Sequence, residues 1–190
     1  FEQNMSRLDE TILLNTQIIS GAEKMIQSYR INIMDTISEQ TIAIYTYETF
    51  GREINFAPNS GVLSEMLSSG DLKLVQSSEL KHRLAGFGSW IDRVEQQEKE
   101  VYQYRLNIAN HMTAIGNYKK AYTELGMMDP NFKTPLDSVS NKSILNSITF
   151  LNQLVLFKSA SQATTINLYN PLKMEIEEIL GLINTNLKKK

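Results

Sequence analysis

The chain contains no cysteine, and that absence removes disulfide frameworks, thiolate metal sites and thiol nucleophiles together. Charge of one sign is also lacking: 19 Lys and Arg against 21 Asp and Glu give a formal charge of −2. With no basic stripe to neutralise a row of phosphates, nucleic acid is not an expected partner. No apolar run reaches the roughly 18 residues that span a bilayer, and the opening FEQNMSRLDE has neither the basic region nor the apolar stretch of a signal peptide. G-x-S-x-G, the Walker A loop, G-x-G-x-x-G and H-E-x-x-H are all missing. The sequence therefore points to no enzyme and to no cofactor.

Helical periodicity, by contrast, is plentiful. The 190 residues suit one domain, and a chain of this size buries about 70% of its unfolded surface. Met5, Leu8, Ile12, Ile19, Ala22, Ile26, Tyr29 and Ile33 fall on alternating steps of three and four, with Asn15 and Thr36 as polar interruptions. The same register continues through Ala43, Tyr47 and Phe50 to Gly51, which predicts one long helix even though TIAIYTY has the propensity of a strand. A second seam starts after the N-cap candidates Ser77 and Ser78. It runs Leu80, Leu84, Phe87, Ile91, Val94, Glu98, Val101, Arg105, Ile108, Met112, Ile115, and the helix is expected to stop near Gly126.

Residues 127 to 143, with two prolines and many turn formers, read as a loop, and Ser140 or Asn141 can cap the helix after it. A third seam runs Ile144, Ile148, Leu151, Val155, then polar Lys158, Gln162 and Thr165, then Tyr169, Leu172, Ile176, Ile179, Ile183. Pro171 should split that helix by removing a backbone donor, leaving two pieces in one register on nearly one axis. Lys188, Lys189 and Lys190 complement a helix C-terminus. Three helical stretches of roughly 45 residues, each about 70 Å long at 1.5 Å per residue, imply an all-α, elongated antiparallel bundle forming a single helical domain over 1–190.

FAPNSGVLSEMLSSGDLKLV, residues 56 to 75, interrupts this pattern. It reads as a corner, with residues 52 to 77 reversing the chain. A short helix over roughly Ser60 to Ser69 is expected to bury Leu63, Met66 and Leu67, and Gly70 to supply the left-handed residue that ends it. Leu72, Leu74 and Val75 would then cross the bundle end, ringed by Tyr45, Tyr47, Phe50, Phe56, Phe87 and Trp90.

The stretch FAPNSGVLSEMLSSGDLKLVQSSELKHRLAGF resembles the signature of a family of single-pass membrane proteins from Bacteroidota that carry a domain of unknown function. That signature reads F-x-P-x-x-x-T-Y-x-E-L-x-S-S-G-N-L-x-L-I, followed by N-x-E-L-R and a Leu. Phe56, Pro58, Glu65, Ser68, Ser69, Gly70, Leu72, Leu74, Glu79, Leu80 and Leu84 match it. Val62, Leu63, Met66, Asp71, Ser77 and Lys81 depart from it. The resemblance implies a transmembrane helix just before residue 1 and a domain outside the cytoplasm, in the periplasm. It implies no activity.

Few residues suggest chemistry. Glu79-x-x-His82 has the spacing used in di-metal bundles, but the only other histidine, His111, follows Ile108 at the corresponding position, so no second chelating pair exists. Glu98 and Arg105 occupy seam positions, and in an antiparallel pair Arg105 falls level with Lys158 and Gln162. The drift of an ideal helix, about 20° per heptad, favours a surface placement; a polar layer inside the bundle is the alternative. The sequence thus reads as a non-catalytic, membrane-tethered domain that works through contacts with an unidentified protein or a second copy of itself. A periplasmic sensory or ligand-binding domain is the rival reading.

Overall fold

The computed structural model describes residues 1–187; the lysines at 188–190, expected to complement a helix C-terminus, lie outside the described residues. The protein is an all-α helical bundle, 80% helical, with no strand among the described residues. Its helices are α1 (Glu2–Gln27), α2 (Ile31–Met34), α3 (Glu39–Phe50), α4 (Gly61–Ser69), α5 (Ser78–Ile115), α6 (Tyr118–Glu124), α7 (Ile148–Thr164) and α8 (Asn170–Leu187). Single 3₁₀ segments occupy Asp71–Leu74, Pro135–Ser138 and Asn141–Asn146, and a π turn occupies Thr165–Tyr169. The chain divides into two compact units. One contains Phe1–Leu14, Ile54–Glu98 and the chain from Ala163 onward; the other contains Asn15–Glu53 and Lys99–Gln162.

In the first unit the expected α5 seam is buried at Leu80, Leu84, Phe87 and Val94, as are Leu8 of α1 and Leu172, Ile176 and Ile179 of α8. Ion pairs flank it, Arg83 with Glu175 at 2.7 Å and Lys173 with Asp9 at 2.6 Å. Residues 54–60 have no regular structure, and α1 supplies some of the backbone partners they need. The buried Asn4 side chain donates to the Asn59 carbonyl (3.1 Å) and accepts the Asn59 N–H (2.7 Å), while Arg7 donates to the Ala57 carbonyl at 2.7 Å.

The second unit corrects the first predicted helix. Rather than running unbroken to Gly51, the chain leaves α1 at Gln27, makes the single turn α2, and re-enters a helix at Glu39, where Ser38 accepts the Thr41 N–H. Helix α3 then folds back antiparallel on α1: Lys24 pairs with Glu48 at 2.9 Å and Arg52 donates to Gln17 at 2.9 Å. Gly21 permits the approach, since a Cβ there would lie 2.8 Å from the carbonyl carbon of Glu48. The buried line of α1 is Asn4, Leu8, Thr11, Asn15, Ile18, Ala22 and Met25, and the expected Met5, Ile12, Ile19 and Ile26 lie half-buried beside it. The second predicted helix also ends early. Helix α5 stops at Ile115, and Asn117 caps α6 by accepting the Lys120 N–H at 3.0 Å.

The third seam differs in register. Before the π turn the buried residues are Phe150, Leu154, Phe157, Ser161 and Thr164, within it Leu168 and Tyr169, and after it Leu172, Ile176 and Ile179. Ile148 and Val155 of the expected seam are exposed. The π turn absorbs the offset: the Asn170 N–H bonds to the Thr165 carbonyl five residues back, which accommodates one extra residue. Pro171, which has no N–H to give, comes immediately after it.

Candidate functional site

The corner begins where Phe56 is buried and ends where Ser77 accepts the Leu80 N–H at 3.2 Å to start α5. Helix α4 occupies the expected place, and Gly70 ends it with φ +78°, a left-handed backbone that glycine adopts at little cost. Ser69 donates to Asp71 at 2.7 Å and accepts its N–H at 3.3 Å, which pins the adjoining 3₁₀ turn. The predicted burial is not realised. No residue of α4 is buried, and Val62, Leu67 and Leu74 are 73%, 43% and 71% exposed. The half-buried Leu63 and Met66 line a depression of about 650 Å³ instead of closing it, and Phe1, Phe87 and Leu180 form other parts of its wall. The helix covers a space that its nine residues do not fill.

Among the residues of the resemblance, Phe56 and Leu80 are buried, Pro58 and Leu72 are half-buried, and Glu65, Ser68, Ser69, Gly70, Leu74 and Glu79 are exposed. Glu79 pairs with Arg83 at 3.4 Å on the outer face of α5, and His82 is exposed. His111 lies 2.9 Å from the Ser147 hydroxyl through Nε2. Among the described residues no three His, Asp or Glu side chains converge as a metal would require. The aromatics expected around the corner are divided between the two units. Phe56, Phe87 and Trp90 belong to the first unit and Tyr45, Tyr47 and Phe50 to the second; Phe87 packs edge-on against Phe1 at 4.9 Å, and Phe50 against Phe150 at 6.4 Å.

Glu98 is the one charged residue buried in the core among the described residues. Its Oε1 accepts the Phe56 N–H at 2.9 Å and the Tyr169 hydroxyl at 2.5 Å. A buried carboxylate is tolerated only with such donors, and these two tie the first residue of the corner and the last residue of the π turn to α5. Burial, and then the charge of Glu98, raise the Tyr169 pKa well above the ordinary tyrosine value. Sequence periodicity took Tyr169 as a seam residue and gave no sign of this pairing.

The other candidates for a polar layer lie in the second unit and do not assemble. Lys158 pairs with Glu23, and Gln162 is exposed. Arg105 donates through Nε to the Phe50 carbonyl at 3.0 Å and lies 3.9 Å from Glu53. The buried polar contact formed there is Asn15, whose amide donates to the Ser161 carbonyl at 2.8 Å. It uses the Ser161 backbone, so no side-chain pattern in the third seam could have signalled it.

The chain matches no family model, no curated protein and no solved structure at a significant level.

Proposed function

We propose that this is a non-catalytic, membrane-tethered helical domain that acts through protein–protein contacts in the cell envelope, with α4 and the 3₁₀ turn after it as the contact surface. The observation that supports the reading is the exposure of Val62, Leu67 and Leu74 together on one short, glycine-terminated corner. Neighbouring apolar side chains left in water usually mark a binding surface. The tether and the periplasmic location rest on the family resemblance of residues 56 to 84. Among the described residues no helix is long and apolar enough to cross a membrane; the anchor of this reading is the transmembrane helix that the resemblance implies before Phe1.

The test is site-specific photo-crosslinking in cells that make the full-length protein. A crosslinker at Leu74 or Val62 should give discrete adducts that Leu67→Asp abolishes, whereas one at exposed Glu177 should give none. An adduct of twice the monomer mass identifies a second copy as the partner. Equal labelling from all three positions, or release of the full-length protein from membranes at alkaline pH, would sink the reading. A second reading, a ligand-binding domain, is favoured by the depression beside Arg105 in the other unit.

A further inference from the structure

In the second unit a depression of about 610 Å³ opens between the end of α3, the last turns of α5 and α6, a size typical of small-molecule sites. Its lining combines the small residues Ala109, Ala121 and Gly51 with three tyrosines, Tyr47, Tyr118 and Tyr122. The Tyr118 and Tyr122 rings lie 5.9 Å apart at a tilt of 36°. Two polar groups in this apolar setting are not fully engaged. The Thr46 hydroxyl is buried without a hydrogen-bond partner among the described residues, although Thr49 in the same helix gives its own to the Tyr45 carbonyl at 2.6 Å. The Arg105 guanidinium donates through Nε to the Phe50 carbonyl and lies 5.7 Å from the Tyr102 ring. Among the described residues its terminal nitrogens make no hydrogen bond, and their ion pair with exposed Glu53 is a loose one at 3.9 Å, which a ligand carboxylate would displace.

We propose that this depression binds a small apolar monocarboxylate, with the carboxylate on the terminal nitrogens of Arg105 and a flat body against the tyrosines. A guanidinium presents two parallel N–H groups that match a carboxylate, and a charge-assisted pair in partly dry surroundings is stronger than one in water. Tyrosine faces supply apolar contact at little entropic cost. The ligand carries one negative charge rather than several. Arg105 is the lone cation lining the depression, and it sits at the C-terminus of α3, whose terminal carbonyls repel further anionic charge. Free aromatic acids and the C-terminal residue of a peptide share this chemistry.

Isothermal titration of the intact chain with indole-3-propionate, its neutral amide, and the peptide Gly-Gly-Gly-Trp distinguishes the two sources. At least one carboxylate probe should bind saturably, and indole-3-propionate should exceed its amide by about tenfold. Arg105→Gln should remove that preference. Thr113→Trp, which fills the mouth from an exposed position, should abolish binding while the helical circular dichroism and melting temperature stay unchanged. Tighter binding of the acid identifies a free metabolite, and tighter binding of the peptide identifies a chain end. The proposal is overturned if neither carboxylate saturates by about 10 mM, if acid and amide bind equally, or if Arg105→Gln keeps the preference.

Discussion

Two short helical connections join long helices in this chain, and they are secured in opposite ways. Around Asn141–Asn146 the turn is locked along its length. Asn141 accepts the Asn117 N–H at 2.6 Å and donates back to the Asn117 carbonyl at 3.2 Å, the Ser140 hydroxyl and the Asn141 N–H (3.1 Å) both bond the Glu39 carboxylate, and Tyr29 donates to the Ile144 carbonyl at 2.9 Å. Ile144 and Leu145 are buried there. Around Gly61–Leu74 the side-chain hydrogen bonds stay within a few residues, and none of the residues is buried. That corner is held where it enters, ahead of α4, by Glu98 on Phe56 and by Asn4 on Asn59. A connection packed along its length contributes to stability, whereas one held only at its start leaves its surface free for something else.

The largest expected effect is on the locked side. Ile144→Ala should destabilise the protein by about 2–5 kcal/mol, read from the urea midpoint, because a fully buried side chain leaves a cavity. Asn141→Ala, which strips both bonds to Asn117, should cost about 1–3 kcal/mol in the same measurement. On the other side, Tyr169→Phe removes a donor from buried Glu98 and should cost about 2 kcal/mol; it should also speed hydrogen exchange at the Phe56 amide, whereas Tyr29→Phe should leave that amide unchanged.

Alkali probes both sides at once. Burial raises the pKa of Tyr29 and Tyr118, as it does that of Tyr169. Their stabilising contribution is complete below the unfolded tyrosine value of about 10 and is lost as pH rises through the higher folded values. Absorbance near 295 nm should therefore show exposed tyrosines ionising first and these three ionising only together with loss of helix. The smallest effect belongs to the open corner. Val62→Ser and Leu74→Ser should each shift stability by no more than about 0.5 kcal/mol, and a larger loss would mean that the corner is packed after all.

Much of the corner was legible because its signals are local. A glycine that must adopt positive φ and a serine that caps α5 act through neighbours within a few residues, so the sequence alone placed α4 and the start of α5. The break between α1 and α3 was not legible in the same way. The three-four spacing of apolar residues persists across 28–38, and the helix is ended by the return of α3 onto Gly21, a contact between residues far apart in sequence. The third seam failed for another reason. Leu151, Val155 and Lys158 lie one position from Phe150, Leu154 and Phe157, and burial of two aromatic rings decided between the alternatives. The polar layer failed because Arg105 and Lys158 found partners nearer the surface, and only Glu98 had donors waiting for it inside.

The π turn at Thr165–Tyr169 acts as a phase correction in an otherwise regular count. It lets residues on its two sides obey different frames, so the segment tolerates a deletion that a regular helix does not. Losing one residue from this turn would restore an ordinary helix and leave Leu172, Ile176 and Ile179 in the core, while the same deletion inside α8, between Leu172 and Ile176, would turn the residues on one side of it by about 100° toward water.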